Sequence, residues 1–207
     1  MSLGGRVYAA VYDRLIAGAE QAGLGEHRRQ LLGGARGRVL EIGAGTGANL
    51  QFYGEGIDEI VLSEPEEPMA RRLERRAGGF SLPARIVRAP AEQLPLEDAR
   101  FDVVVSTLVL CTVRDPARAL GEIRRVLAPG GQLLFMEHVR SDDPQLARWQ
   151  DRLNWLSNRT DHGCNCNRPT VESIERAGFS ITRIEHHRFP KAPPFVRPLV
   201  IGTAQPI

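Results

Sequence analysis

Three observations predict an α/β domain built on a largely parallel sheet with helices on both faces. Short apolar runs resembling buried strands alternate with amphipathic helical segments, the first run stops at a glycine-rich turn, and the last two runs follow each other with no helix between them. The alternation calls for parallel strands joined by crossover helices, whereas the final pair can meet only as antiparallel neighbours.

Val7, Ala10, Val11 and Leu15, then Leu31 and Leu32, fall at helical spacing over residues 6–34, with Gly23 and Gly25 between them. That predicts an N-terminal helical cap in two pieces. Residues 38–43 form a short, partly β-branched run closed by glycine, as a strand buried on both faces does. Further strands are predicted at 59–62, 85–87, 101–106 and 132–139. A helix is expected over 66–76, and another over 116–127 with Ala117, Leu120, Ile123, Val126 and Leu127 on one face. Asp115 stands at the N-cap of the second helix and Pro116 at its first position. Beyond residue 140 the rhythm changes to a polar, Trp-containing stretch over 141–168, to which no helix or strand is assigned. A helix over 169–177 closed by Gly178 and strands at 179–186 and 198–204 complete the chain.

With 207 residues and 42% hydrophobic content, one substantial core is expected and a second full domain is not. The expected organisation is a single domain: residues 1–36 as helical cap, 37–140 as core, 141–168 as substrate lid, and 169–207 as a C-terminal helix and hairpin. The formal charge of +2 gives no electrostatic reason to expect a nucleic-acid partner. No stretch approaches the roughly 20 apolar residues of a spanning helix, so no stable membrane anchor is expected and a cytoplasmic location is. Cys111, Cys164 and Cys166 do not make a disulfide framework in a chain of this size, which fits a reducing compartment. Oligomeric state is not encoded legibly.

The turn Gly43-Ala44-Gly45-Thr46-Gly47 follows the first strand and opens a helix, the place where an open α/β sheet binds ligands. Glycine belongs there because a Cβ would obstruct a ligand's approach to the backbone. Glu64 ends the second strand, where a carboxylate can accept hydrogen bonds from a ribose diol. These features also suit a nicotinamide-dependent oxidoreductase, since Gly43, Gly45 and Ala48 satisfy G-x-G-x-x-A. Against that, a dehydrogenase typically carries a separate substrate domain, for which the chain is short. The bland alternative is a ligand-free turn, and a protein that holds a cofactor without turning it over is a third possibility.

Four blocks in order resemble the motif series of class I S-adenosylmethionine-dependent methyltransferases: Val39-Leu-Glu-Ile-Gly-Ala-Gly-Thr-Gly47, Ala91-Glu-Gln-Leu-Pro-Leu96, Phe101-Asp-Val-Val-Val105 and Arg125-Val-Leu-Ala-Pro-Gly-Gly131. The resemblance implies a Rossmann-like, seven-stranded, mostly parallel sheet whose last strand is antiparallel. It implies S-adenosyl-L-methionine as cofactor, S-adenosyl-L-homocysteine as product and a small-molecule methyl acceptor. Glu41 and Gly43, Ala44, Gly45 and Gly47 would face the cofactor's methionine portion, and Glu64 its ribose. Pro65 and Met69 would face the adenine, Ala91 and Glu92 its amino edge, and Thr107 and Leu108 would lie near the reactive methyl. From residue 38 onward the chain also resembles the animal thiol S-methyltransferases of the methyltransferase-like 7 group. The blocks are Gly45-Thr-Gly-Ala-Asn-Leu-Gln-Phe-Tyr53, Thr107-Leu-Val-Leu-Cys-Thr-Val113, Phe135-Met-Glu-His-Val139, Gly163-Cys164 and Pro198 to Gly202. It departs from that group in its expected lack of a hydrophobic N-terminal anchor and in Glu64, where Asp is usual. Quinone-type methyltransferases share most of these blocks, so a thiol is the first expected acceptor and a quinone or phospholipid-like molecule the second.

Methyl transfer from a sulfonium is a displacement with a good leaving group already in place, so positioning carries most of the catalysis. A thiol, with a pKa near about 8.5, needs only a modest base or a positive field. His138, beside Glu137 at the end of the fifth strand, is the candidate base, against the alternative of a histidine fixed by that carboxylate for structural reasons. Tyr12, His162 and Cys164 are candidate acceptor contacts. A zinc site built on His162, Cys164 and Cys166 lacks a second ligand pair, so no metal is expected. Cys111 reads as a small buried hydrophobe. Tyr8, Tyr12, Trp149 and Trp155 are core or cover residues that could roof the pocket.

Overall fold

A computed structural model describes residues 16–80, 84–160 and 163–207. The expectations for Val7, Tyr8, Ala10, Val11, Tyr12, Leu15 and His162 lie outside the described residues. Among the described residues, residues 16–19 are helical, a π-helical turn spans Glu20–Leu24, and helix α1 runs Gly25–Leu32. Gly23 makes the break, its φ of 129° being open to glycine alone, whereas Gly25 stays helical.

Seven strands follow: β1 (Gly37–Ile42), β2 (Ile57–Ser63), β3 (Ala84–Val87), β4 (Phe101–Thr107), β5 (Leu127–His138), β6 (Phe179–Arg188) and β7 (Pro198–Pro206). Between them stand α2 (Glu67–Ala77), α3 (Pro116–Val126), α4 (Pro144–Thr160) and α5 (Thr170–Arg176). The strand order is β3-β2-β1-β4-β5-β7-β6; β1 to β5 pair in parallel, and β7 lies antiparallel to both neighbours, β5 and β6. The chain leaves β1 toward β2 and β3, then returns on β1's other side as β4. That reversal opens a crevice at the carboxyl ends of β1 and β4.

Strand alternation divides the core between the two faces of the sheet. Leu40, Ile42, Val104, Leu133 and Phe135 pack on one face against Leu120, Ile123 and Val126 of α3 and Ile174 of α5. Val39, Leu62, Val103, Val105 and Leu134 pack on the other against Leu32 and Leu73. Each aliphatic side chain buried this way contributes roughly 1.5–3 kcal/mol. The Asp115 side chain accepts from the Arg118 N–H at 3.1 Å and caps α3 as predicted. On that helix Ala119 is buried and Ala117 is exposed, so the apolar stripe lies two residues on from the position expected at its start.

Two further expectations need correction. Strand β5 begins at Leu127, which pairs with Phe101 ahead of the turn at Gly130. The larger departure concerns 141–168, where no element was predicted and the 17-residue helix α4 stands. Its buried residues are Ala147, Gln150 and Ser157, so its inward face is small and polar and gives no apolar period to read. The Gln150 amide donates to Val139 O at 2.9 Å and Cys166 O at 2.7 Å, while its Oε1 accepts from Ser141 N at 2.8 Å. Trp149 and Trp155 are 55% and 65% exposed and roof nothing. Among the described residues no helix is long and apolar enough to cross a membrane.

Candidate active site

The turn after β1 is held open by its own conformation. Gly43 has φ 55°, and a Cβ there would lie 2.6 Å from Val109 Cγ2. Gly45 has φ 57°, yet a Cβ would meet nothing nearer than Gly43 O at 4.0 Å, so its backbone faces free space. A cavity of about 1250 Å³ occupies that space, above the roughly 300–1,000 Å³ of a pocket for one small ligand. It has room for a cofactor and an acceptor together.

Glu64, at the end of β2, ties the turn to the next segment. Its Oε2 accepts from Gly45 N and its Oε1 from Glu66 N, both at 2.8 Å. Burial raises the carboxyl's pKa, and the two backbone donors partly restore ionisation. Gly43, Gly45, Glu64, Pro65, Met69, Ala91, Glu92, Leu108, His138 and Cys164 all line the cavity. The structure therefore brings together most of the residues the sequence singled out. Glu41, Ala44, Gly47 and Thr107 lie behind this wall rather than on it, and Tyr12 and His162 fall outside the described residues. Glu92 accepts from the backbone of Arg114 at 2.8 Å and of Asp115 at 3.3 Å, fastening the loop after β3 to the start of α3.

Behind the glycine turn is a buried polar network that sequence reasoning missed. Arg28 of α1 is buried and donates to Asn49 Oδ1 at 2.6 Å, Thr107 Oγ1 at 3.1 Å and Glu20 Oε1 at 2.9 Å. Asn49 Nδ2 donates to Glu41 Oε1 at 2.9 Å and Thr107 Oγ1 at 2.9 Å, and the Tyr53 hydroxyl donates to Glu41 Oε2 at 2.7 Å. Asn49, two residues past the glycine turn, was the one available signal; an arginine on a surface helix gives none.

Burial pushes the Glu41 carboxyl up to about 7, against the hydrogen bonds from Tyr53 and Asn49 and the Arg28 charge, which oppose it. Between about pH 4.5 and 7 the folded protein thus holds a proton that the unfolded chain has released, so stability falls as pH rises through that window. The effect of Glu41 is about 3 kcal/mol, and Glu64 and Glu137 shift in the same direction. Urea denaturation of Glu41→Gln at pH 5 and pH 8 is expected to show a smaller loss over this range than the parent chain. An equal loss in both would remove Glu41 as a source.

At the end of β4, Leu108 sits at φ 62°, a left-handed conformation uncommon for a large side chain. Its surroundings impose it: Leu108 N donates to Met136 O at 2.8 Å, and Val109 N and Cys111 N donate to the Glu137 carboxylate at 3.0 and 3.2 Å. Ser106 Oγ supplies a third donor at 2.7 Å. Glu137 therefore secures this loop. The buried His138 ring lies 4.9 Å from the Phe189 ring.

The far wall joins elements from several parts of the chain: Leu156 of α4, Arg168, and Phe189, Phe195 and Val196 from the β6–β7 connection. Cys111, Cys164 and Cys166 are buried in one cluster with Phe195 packed against it. Among the described residues no group of three or more His, Cys, Asp or Glu could hold a metal ion.

Residues 40–135 match a family model described as "Methyltransferase domain". The chain is 37% identical over 173 residues to thiol S-methyltransferase TMT1A of Homo sapiens, covering 80% of this chain and 69% of that protein. It is 40% identical over 188 residues to thiol S-methyltransferase TMT1B of Mus musculus, covering 84% and 73%. A solved S-adenosylmethionine-dependent methyltransferase of Thermotoga maritima, a possible histamine N-methyltransferase, matches over 98% of both chains with a TM-score of 0.70 at 23% identity.

Proposed function

We propose, because the chain belongs to the class I S-adenosylmethionine-dependent methyltransferases and methylates a small molecule with that cofactor, that its acceptor is an apolar thiol. The observation that carries this reading is the cavity, whose open glycine turn and buried Glu64 suit an adenosyl group at one end. Leu108, Leu156, Phe195 and Val196 give the same cavity an apolar lining. The thiol S-methyltransferase relatives, similar over most of the chain, support sulfur as the accepting atom.

When bound, S-adenosylmethionine would supply an electrophilic methyl on a sulfonium, with S-adenosylhomocysteine as the leaving thioether. Gly43, Gly45, Glu64, Pro65, Met69, Ala91 and Glu92 would hold the cofactor. Glu41, Ala44, Gly47 and Thr107 would support it from behind, with Leu108 beside the acceptor. The apolar wall excludes water and fixes the direction of approach, the main demand of an in-line displacement. His138, on the same wall, takes the thiol proton and passes it to solvent. Tyr12, His162 and Cys164 are assigned to the acceptor side, and the three clustered thiols fit action in the reducing cytosol.

A coupled assay for S-adenosylhomocysteine release across thiols, phenols, amines and quinols tests the acceptor. Turnover is expected with apolar thiols, and turnover with quinols or amines alone would overturn it. His138→Ala is expected to lower kcat about tenfold or more while leaving S-adenosylhomocysteine affinity intact. Unchanged turnover would remove His138 from the reaction.

A further inference from the structure

We infer that the guanidinium of Arg168 holds the acceptor as its thiolate, so that the cavity favours the anionic sulfur that remains once His138 has taken the thiol proton. The inference rests on the thiol reading above and deepens it. Arg168 lines the cavity, and its backbone is pinned on both sides: its N–H donates to Asn165 O at 3.2 Å, and its carbonyl accepts from Arg140 N at 2.9 Å. One terminal nitrogen donates to Leu110 O at 2.6 Å. Among the described residues no carboxylate forms an ion pair with it within 4.0 Å, and Glu137 and Glu92 act on its charge only from farther off.

The charged and titratable groups around it come from several elements. Glu137 of β5 is occupied by Ser106, Val109 and Cys111, and Glu92 by the backbone of Arg114 and Asp115. Cys111 after β4 and Cys164 lie on the same wall, as does His138. Arg114 and Arg118 also line the cavity, but both are exposed. Arg168 is the partly buried one, and burial pulls its pKa down from the ordinary arginine value. Burial of this cation outweighs the attraction of the more distant Glu137 and Glu92, and an anion entering beside it offsets that cost. The guanidinium is itself weakly hydrated, which matches a large, diffuse sulfur anion better than a compact ammonium would.

A positive charge within hydrogen-bonding range lowers an acid's pKa by roughly 1–3 units. The cavity should therefore hold a thiol ionised at a pH where the same molecule in water is protonated. Benzenethiol is a suitable probe, because its thiolate absorbs apart from its thiol, and protein without probe serves as the blank for Cys111 and Cys164. The probe is titrated on parent chain, Arg168→Gln and Arg168→Lys, each saturated with S-adenosylhomocysteine. The parent is expected to lower the probe's pKa by about 1 unit or more, and Arg168→Lys to keep part of that shift. Arg168→Gln is expected to lose it and to bind the probe about tenfold more weakly at neutral pH, with methyl phenyl sulfide and S-adenosylhomocysteine bound as tightly as before. A bound pKa equal in the parent and Arg168→Gln, or no shift in the parent, overturns the inference. If the parent releases no S-adenosylhomocysteine with any thiol, the thiol reading falls and takes this inference with it. Thiol turnover without an Arg168-dependent shift leaves that reading standing and removes Arg168 alone.

Discussion

Glu64→Ala is expected to weaken S-adenosylhomocysteine binding by about 100-fold or more, measured by titration calorimetry. Two contributions combine. A carboxylate accepting hydrogen bonds from ribose hydroxyls is worth roughly 1.5–3 kcal/mol per bond, and each 1.4 kcal/mol is about tenfold in affinity. The same carboxylate also fixes Gly45 N and Glu66 N at 2.8 Å, so its removal loosens the turn that faces the ligand. Glu64→Gln is expected to do nearly as badly. Glutamine keeps one acceptor oxygen, but its NH2 group would face an N–H donor. An affinity within threefold of the parent in both variants would mean that Glu64 serves the turn without touching the cofactor.

Glu137→Ala is expected to destabilise the fold by about 3 kcal/mol, read from urea denaturation at neutral pH. The carboxylate is fully buried and accepts from three donors, each of which costs roughly 1–3 kcal/mol when orphaned. Part of that loss is returned, because burial already holds the Glu137 carboxyl above its ordinary pKa and its desolvation cost disappears with it. Leu108 would be free to leave φ 62°, displacing the wall beside the acceptor and raising its KM. Glu137→Gln retains one acceptor and should lose less. A loss under about 1 kcal/mol for the alanine variant would show that water replaces the carboxylate readily.

The parts of the fold legible in the sequence are those whose cause is local. The short apolar runs of β1 to β5, the Asp115-Pro116 start of α3 and the final antiparallel pair are each announced within a few residues. The turn at Gly43 and the carboxylate at Glu64 were legible for the same reason, both being strand-end features. Helix α4 was not, because its buried face is Ala147, Gln150 and Ser157 while its tryptophans point outward. The roles of Arg28, Glu137 and Arg168 depend on contacts from distant parts of the chain. Arg28 meets Thr107 across 79 residues, and Arg168 meets Leu110 across 58.

The placement of β7 between β5 and β6 constrains how this protein is made. Strand β6 is synthesised first, yet its one neighbour in the sheet is β7, and it lies at the edge. Until β7 has left the ribosome, the outer edge of β5 is unpaired and β6 has nowhere to dock. The seat is also tight, since a Cβ at Gly202 would lie 2.4 Å from Arg183 O and 2.6 Å from Phe135 Cζ. A nascent chain paused between the two strands would therefore expose an open, apolar strand edge of the kind that recruits chaperones or other chains.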